Sequence, residues 1–432
     1  MTLNDGQRAA ADGFFEFLFS PNKELILSGG GGVGKTFLMG YLIDKVMPQY
    51  FDTCKLMGIT PEYDEVEMTA TTNKAAEVLS ASTRRDAKTV ASFLSLKVKD
   101  DHDTGRSMLI KTQNWKVFHK KILFCDECSM IDPPLRQAIL EGTLKCKIIY
   151  VGDHCQLAPV GYEMSPIYDL DLPFFELTEP MRNAGQPALM EACQRMRETV
   201  ETGVFKPIKL TEDVIDLLDE EDMKYALEYV FKQQTRESRI VAYTNARVIE
   251  YNEFIRGIRG LGSEYGVGEI LVNAQAIQFG KRGSLSVEAE VEIIEARKKT
   301  EMLVIEDKGA DVKLEVRRCK LRKSNGLLID DVPLAVDRDH HSQLMKYYAR
   351  AKNWNRLFYI KNTVPDLRPR DAATVYKVQG STYDSVFIDL ENLSTCNKAP
   401  EVARALYVAL SRARSRVFLY GQLADRYGGR AR

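Results

Sequence analysis

The chain has 432 residues, 44% of them hydrophobic, with a formal net charge of -1 and eight cysteines. That length has room for about three domains; no apolar run approaches the ~18 residues of a membrane span, and the opening MTLNDGQRAAADGF has neither the basic start nor the apolar segment of a secretory leader. The near-neutral charge excludes a global positive field, so nucleic-acid affinity has to come from a local track of basic and polar groups. The cysteines lack regular spacing, which predicts reduced thiols and a cytoplasmic setting rather than a disulfide framework.

In chain order, Gln7 comes first, just before a helical pattern of Ala9, Ala10, Phe14, Phe17 and Leu18; alone it reads as a surface glutamine. An apolar run, Leu25, Ile26 and Leu27, then leads into GGGGVGKT at 29–36, and Phe37, Leu38, Tyr41, Leu42 and Val46 follow at helical spacing. Gly29, Gly34, Lys35 and Thr36 fit the phosphate loop G-x-x-x-x-G-K-[ST] in its required place between strand and helix. Backbone N–H groups close around phosphate oxygens, Lys35 neutralises the outer phosphates and Thr36 holds magnesium, so the implied ligand is a nucleoside triphosphate. The same residues also satisfy G-x-G-x-x-G, but a dinucleotide site has no use for Lys35-Thr36.

Residues 66–70 predict a strand that runs into Thr71, Thr72, Asn73 and Lys74 and then a helix, AAEVLSAS. Residues 94–118 alternate around a polar turn at 100–105, which predicts a small hairpin; Lys97, Lys99, Arg106, Lys111 and Lys116 make it a basic, solvated loop. The strand KILFC ends in Asp126 and Glu127, the second half of a nucleotide site, where an aspartate binds magnesium and a glutamate orients or deprotonates the attacking water. Cys125 and Cys128 bracket that pair as C-x-x-C, with Cys146, His154 and Cys155 further on; zinc is disfavoured because the carboxylates at this strand end already have a task.

A strand at 147–151 leads to GDHCQLAPV, where Gln156 can sense the terminal phosphate, and FFELTEPMR places Arg182 after a further strand. Strand and helix grammar restarts at RIVAYTN and ARVIEYNEFIRGI, then resumes in AATVYKVQGSTYDSVFIDL, ALYVALSRARSR and VFLYG, a second α/β domain without its own phosphate loop. Between them, 262–368 reads as a small β-barrel (alternation through Val287, Ala289, Val291 and Ile293, further strands at 302–305 and 312–316, a turn at Lys308-Gly309) and a helical piece at 342–358. Arg317, Arg318, Lys320, Arg322 and Lys323 form a solvated basic edge there.

The ordered set LNDGQ, GGGGVGKT, TATTNKAA, TVASFL, LFCDECSM, VGDHCQLAPV, LTEPMR, AYTN, TVYKVQGST and YVALSRAR resembles the superfamily 1 helicases, in the branch that includes the bacteriophage Dda helicase and RecD. The resemblance implies an α/β fold of two tandem RecA-like P-loop domains with parallel sheets, a small hairpin (pin) insertion and a β-rich SH3-like insertion. Domain 1A would take 1–93 and 119–176, the pin 94–118, domain 2A 177–261 and 369–432, and domain 2B 262–368 with its helical extension.

It further implies an ATP-dependent DNA helicase that moves 5′ to 3′ on single-stranded DNA, with ATP and Mg²⁺ as cofactors. ATP would lie against Gln7, which reads adenine, then Gly29, Gly30, Gly31, Gly32, Val33, Gly34, Lys35, Thr36 and Phe37, and Gly380. Magnesium falls to Thr36 and Asp126, catalysis to Lys35, Glu127, Gln156 and two arginine fingers, Arg182 and Arg412. The strand would follow Thr72, Asn73, Lys74, Thr89, Ser92, Tyr243, Thr244, Asn245, Thr374, Tyr376 and Lys377. Partners would be single strands, single–double-strand junctions and replication, recombination or repair proteins, for a monomer in the cytoplasm, the host's if phage-encoded. Three positions depart from the pattern: Cys128 replaces a small aliphatic residue or serine, Ala91 the histidine of T-x-H, and Tyr376 the histidine before Lys377. Cys128 should matter for packing only; Tyr376 can stack on a base. The rivals are an RNA helicase or translocase of the same superfamily and a regulatory P-loop ATPase without motor function.

Overall fold

The computed structural model describes residues 3–103, 107–159, 161–179, 186–306 and 311–429, which form two compact units. The first comprises Met1–Lys97, Leu109–Leu217 and Val378–Arg432. Its main sheet has six strands in the order Ala87–Thr89, Glu65–Ala70, Lys121–Asp126, Lys147–Gly152, Glu24–Gly29 and Phe174–Leu177. Every pairing is parallel, with Ala70 opposite Asp126 and Ser28 opposite Gly152. A parallel sheet needs cover on both faces, and for that reason three of the central strands have apolar middles, 25–27, 122–125 and 148–151. Leu25, Leu27, Ile122, Phe124, Ile149 and Val151 point into one core, with Phe14, Leu38 and Tyr50. Ile26, Leu123, Cys125, Ile148 and Tyr150 point into the other, with Ile139 and Ile167.

The helix Asp5–Phe19 is set by a capping box between Asn4 and Gln7 and buries Gln7, Ala10, Ala11, Phe14, Phe17 and Leu18, the i, i+3, i+4 stripe of an amphipathic helix. The phosphate-loop helix Lys35–Tyr41 passes through a wide π turn, Leu42–Val46, into Met47–Met57. Pro48 accounts for the wide turn, since it has no N–H and its ring crowds the carbonyl four residues back. The same unit holds the parallel pair Tyr383–Asp389 and Ala413–Tyr420, with Ile215–Leu218 beside the latter, and the packed helices Pro187–Thr202 and Ala399–Leu410.

The second unit comprises Val98–Met108 and Leu218–Lys377. It contains the parallel pair Ser238–Ala242 and Ala372–Thr374, with the helices Glu220–Phe231 and Asn245–Ile258. Its other part is a five-stranded sheet in the order Leu328–Ala335, Val312–Lys323, Glu290–Ile305, Ile270–Asn273 and Leu367–Pro369, antiparallel throughout. Where the sequence predicts separate short strands, one long bulged strand, Glu290–Ile305, runs through them, and no pairing between the outer strands closes the sheet into a barrel among the described residues. The helical piece is two helices, Arg338–Arg350 and Trp354–Lys361. The expected hairpin is present as Leu96–Asp100 and Ser107–Lys111, while 104–106, including Arg106, lie outside the described residues. Within this unit Asp100 near the hairpin tip accepts from Lys361 at 3.0 Å, and His102 lies 2.7 Å from Asn355 Oδ1. Among the described residues no helix is long and apolar enough to cross a membrane.

Candidate nucleotide site and nucleic-acid surfaces

The phosphate loop links the end of the strand Glu24–Gly29 to the start of the helix Lys35–Tyr41. Gly34 holds φ 85°, which a side chain would disfavour, and a Cβ on Gly29 would sit 2.7 Å from the Leu177 carbonyl oxygen. No side chain caps the helix, so its first N–H groups are available to an anion. Lys35 Nζ donates to the carbonyls of Gly29 at 2.6 Å and Gly30 at 2.9 Å, while Thr36 and Phe37 are half-buried in the first turn. Gly31 faces open space, Gly32 takes a left-handed φ, and Val33 is buried. Gln7 is not a surface residue: it is fully buried, and its amide donates to Val33 O at 3.2 Å while bonding the backbone of Asn4.

Asp126 ends its strand, and Glu127 follows in the left-handed region at φ 54°. Such a conformation costs a non-glycine residue on the order of 1 kcal/mol and marks a position whose side-chain direction matters. Burial, then the adjacent Glu127 charge, pushes the Asp126 carboxyl up to about 7, with Lys35 opposing. Glu127 Oε2 and Gln156 Oε1 are buried without a partner among the described residues, as is Oε1 of Gln379, whose Nε2 donates to Ser129. A Cβ on Gly380 would lie 3.8 Å from Glu127 Oε1, so that glycine stands beside the carboxylate pair. Unsatisfied buried oxygens beside a carboxylate pair suit a bound cation and water. The donor set therefore fits a divalent cation such as magnesium.

One part of the site escapes the sequence reading. Asp153, fully buried, accepts from Arg197 at 2.6 Å and from the Tyr407 hydroxyl at 2.6 Å. Burial alone would raise its carboxyl, but Lys35, Arg197 and Tyr407 hold it below the usual carboxylate range. Arg404 donates to the carbonyls of His154 and Gln156, and a Cβ on Gly30 would stand 3.2 Å from the Tyr407 oxygen. The helix Ala399–Leu410 thus touches both the phosphate loop and the loop that carries Gln156. The available signal was a tyrosine and an arginine inside the otherwise apolar run RALYVAL. Arg412, just beyond this helix, is buried and bonds Val408 O, Ser381 O and Ser411 Oγ rather than the phosphate loop. Arg182 lies outside the described residues.

Two alternative metal sites are chemically occupied. His154, Glu176 and Glu201 approach one another, but the Arg197 guanidinium already bonds Glu176 and Glu201. Cys125 and Cys128 are buried thiols, the first pushed up to about 12 by burial; Cys128 packs against Tyr168 and Gly152, so its departure from the helicase pattern is a packing matter.

The residues expected along a nucleic-acid strand fall into two groups. In the first unit Thr72 and Thr89 cap the helices Asn73–Thr83 and Val90–Phe93, and Asn73, Thr89 and Ser92 line one cleft of about 500 Å³; Lys74 is half-buried beside them, and Ala91 takes the place of the usual histidine. The preceding residue, Thr71, donates its hydroxyl to Glu127 O at 3.2 Å and its N–H to Asp126 O at 3.3 Å, joining this surface to the carboxylate pair. In the second unit Thr244 caps the helix Asn245–Ile258, Tyr243 and Tyr376 are half-buried, and Thr374 is buried at its strand end. Asn245 and Lys377 line a cavity of about 350 Å³, where Lys377 is paired with Glu288 at 2.7 Å.

Residues 2–238 match the family model described as an AAA domain, and 371–420 that of the UvrD-like helicase C-terminal domain. None of the curated proteins compared with the chain matches it. Among solved structures, a Pif1 helicase from Bacteroides in complex with ADP-AlF3 and ssDNA aligns over 99% of this chain and 94% of its own, with a TM-score of 0.52 and 14% identity. A structure of two coordinating Pif1 helicases at forked dsDNA aligns over 99% and 94%, with a TM-score of 0.50 and 16% identity. At such identity the likeness is one of fold, the two-domain α/β fold of these helicases. With the phosphate loop, the carboxylate pair and both family matches in the expected places, the chain belongs to the AAA-domain family and is a superfamily 1 helicase, an ATP-hydrolysing enzyme.

Proposed function

We propose that this helicase translocates on single-stranded DNA in the 5′ to 3′ direction and separates the duplex ahead of it. The observation that carries the reading is the pair of bonds from Thr71 to Glu127 O and Asp126 O, because it makes the strand-facing segment 71–74 and the hydrolytic carboxylates one hydrogen-bonded piece. A Pif1 helicase with ADP-AlF3 and ssDNA, and another pair at forked dsDNA, share the fold and support the same substrate class here.

In this reading the N–H groups of the loop and the freed ammonium of Lys35 bind the phosphates, and Gln7, which keeps one amide hydrogen and one lone pair beyond its present bonds, meets the adenine. Magnesium, held by Thr36 and Asp126, would supply charge neutralisation at the phosphates. Glu127 takes a proton from the attacking water as its oxygen bonds the γ-phosphorus and the bond to ADP breaks. Gln156 senses that phosphate, and Arg412 and Arg182 stabilise its transition-state charge. Arg412 must leave Ser381 O to do so. Thr72, Asn73, Lys74, Thr89 and Ser92 on one side, and Tyr243, Thr244, Asn245, Thr374, Tyr376 and Lys377 on the other, grip the strand, and the hairpin at 94–118 parts the duplex. Separating one base pair costs on the order of 1.4 kcal/mol of stacking. We place the helicase as a monomer in a reducing, cytoplasmic compartment, which suits eight free cysteines.

The test is unwinding of duplexes that carry only a 5′ or only a 3′ single-stranded tail, with ATP hydrolysis followed on DNA and RNA oligomers of equal length. Unwinding from the 5′ tail and stronger stimulation by DNA are expected. Activity only on the 3′ tail would reverse the direction, stronger stimulation by RNA would favour the RNA reading, and hydrolysis indifferent to any strand would leave a non-motor ATPase.

A further inference from the structure

We infer that Glu288 is a placeholder for a strand phosphate at Lys377, and that this carboxylate sets how readily the second unit takes up a single strand. The inference rests on the strand-binding reading above and goes beyond it by naming a residue that opposes binding.

Lys377 Nζ donates to Glu288 Oε1 at 2.7 Å, and both side chains are mostly shielded, at 30% and 22% exposure. Glu288 sits at φ 61° in the turn before the strand Glu290–Ile305, a conformation that disfavours a side chain. The turn does not depend on the ion pair. Glu288 N–H bonds Asn273 O at 2.8 Å, Ala289 N–H bonds Ser286 O, and Asn273 Nδ2 donates to Ser286 O at 2.9 Å. A main chain fixed this way holds the carboxylate against Lys377 whether or not the lysine stays.

The pair borders the cavity of about 350 Å³ that Asn245 also lines. His341 lines it too, nine-tenths buried, with Nε2 unpartnered among the described residues, a polar group there that the protein leaves unsatisfied. Three of the other cations on its wall have carboxylates of their own: Arg338 with Glu253, Arg368 with Asp366 and Lys361 with Asp100. A phosphodiester matches a carboxylate in charge and in presenting two acceptor oxygens, and a lysine, a point charge without fixed donor geometry, exchanges one for the other with little rearrangement. Glu288 therefore competes with the strand for Lys377, and every binding event has to displace it.

The experiment measures binding of a fluorescent oligothymidylate by the full chain across a range of salt, for the wild type, Glu288→Gln, Lys377→Ala and the double variant. Glu288→Gln should bind about fivefold tighter, the scale of one ion pair of this exposure. Its plot of log affinity against log salt should steepen by up to about 0.7, one single-strand phosphate contact. In the Lys377→Ala background Glu288→Gln should change neither quantity. Unchanged affinity and slope for Glu288→Gln, or equal tightening with and without Lys377, would overturn the inference. A wild-type chain that binds no strand would remove the strand-binding reading and this inference with it.

Discussion

Lys35 bonds the carbonyls of its own loop, so it is a structural brace before it is a phosphate ligand. Its removal exposes those carbonyls to water and leaves both cores intact. We expect Lys35→Ala to fold and to lose about 10²- to 10³-fold in ATP turnover, the usual cost of removing one preorganised charge-stabilising group; steady-state hydrolysis near the wild-type rate would refute the assignment. Tyr407 makes a sharper case. Tyr407→Phe deletes one of two strong bonds to a buried carboxylate, about 1.5 kcal/mol, so kcat with DNA should fall about tenfold while KM for ATP stays within about twofold. A wild-type kcat would mean that Arg197 and the Cys155 N–H keep Asp153 in place without it. The legibility of these residues follows from how local their chemistry is. Residues 29–36 and the Asp126-Glu127 pair are readable because each motif contains its own geometry. Asp153, Arg197 and Tyr407 are not, because their partners are 44 and 254 positions apart and nothing in a single sequence marks the pairing.

Among the elements, threonine is the recurrent device: Thr72 and Thr244 follow a parallel strand, Thr89 ends one, and each caps the next helix, which turns helix N-termini toward the side where the strands end. Strand runs such as KILFC were legible because burial on both faces leaves no polar alternation to misread. The long strand Glu290–Ile305 was not, because Arg297, Lys298 and Lys299 leave the core at a register shift between Ala296 and Thr300 while the backbone pairing resumes beyond it. The buried lysine at the start of Lys147–Gly152 was also hidden. Its Nζ donates to Ser20 O and Asn22 O at the end of the helix Asp5–Phe19, and burial lowers it from 10.5 to about 8. Between those two values the unfolded chain holds a proton that the folded chain has released, so this residue makes stability rise with pH from about 8 to 10.5. Urea unfolding at pH 8 and pH 10 should show the wild type gaining on a Lys147→Met variant; parallel behaviour of the two would mean that the lysine keeps its proton.

At the scale of the whole molecule, the hairpin and the β-rich insertion were both foreseen, but not the link from Asp100 to Lys361, 261 positions away. His102 adds an edge contact with Phe358 at 4.9 Å, so the hairpin tip has a foothold within its own unit. Lys361→Ala should therefore slow duplex unwinding about fivefold, the scale of one partly buried ion pair, while strand-stimulated ATP hydrolysis stays within about twofold. Equal loss in both assays would show that the contact supports the fold rather than the hairpin. Finally, the cysteines give the molecule a practical property. All eight are free, seven are buried, and Cys193, the half-buried one, is pushed up to about 12 by burial. Maleimide dyes, which react with exposed thiolates, should pass over the native set. A cysteine introduced on the hairpin strand 107–111 and another on the helix Arg338–Arg350 would then be the only labelled positions, and the chain can be watched by fluorescence without first being stripped of its own thiols.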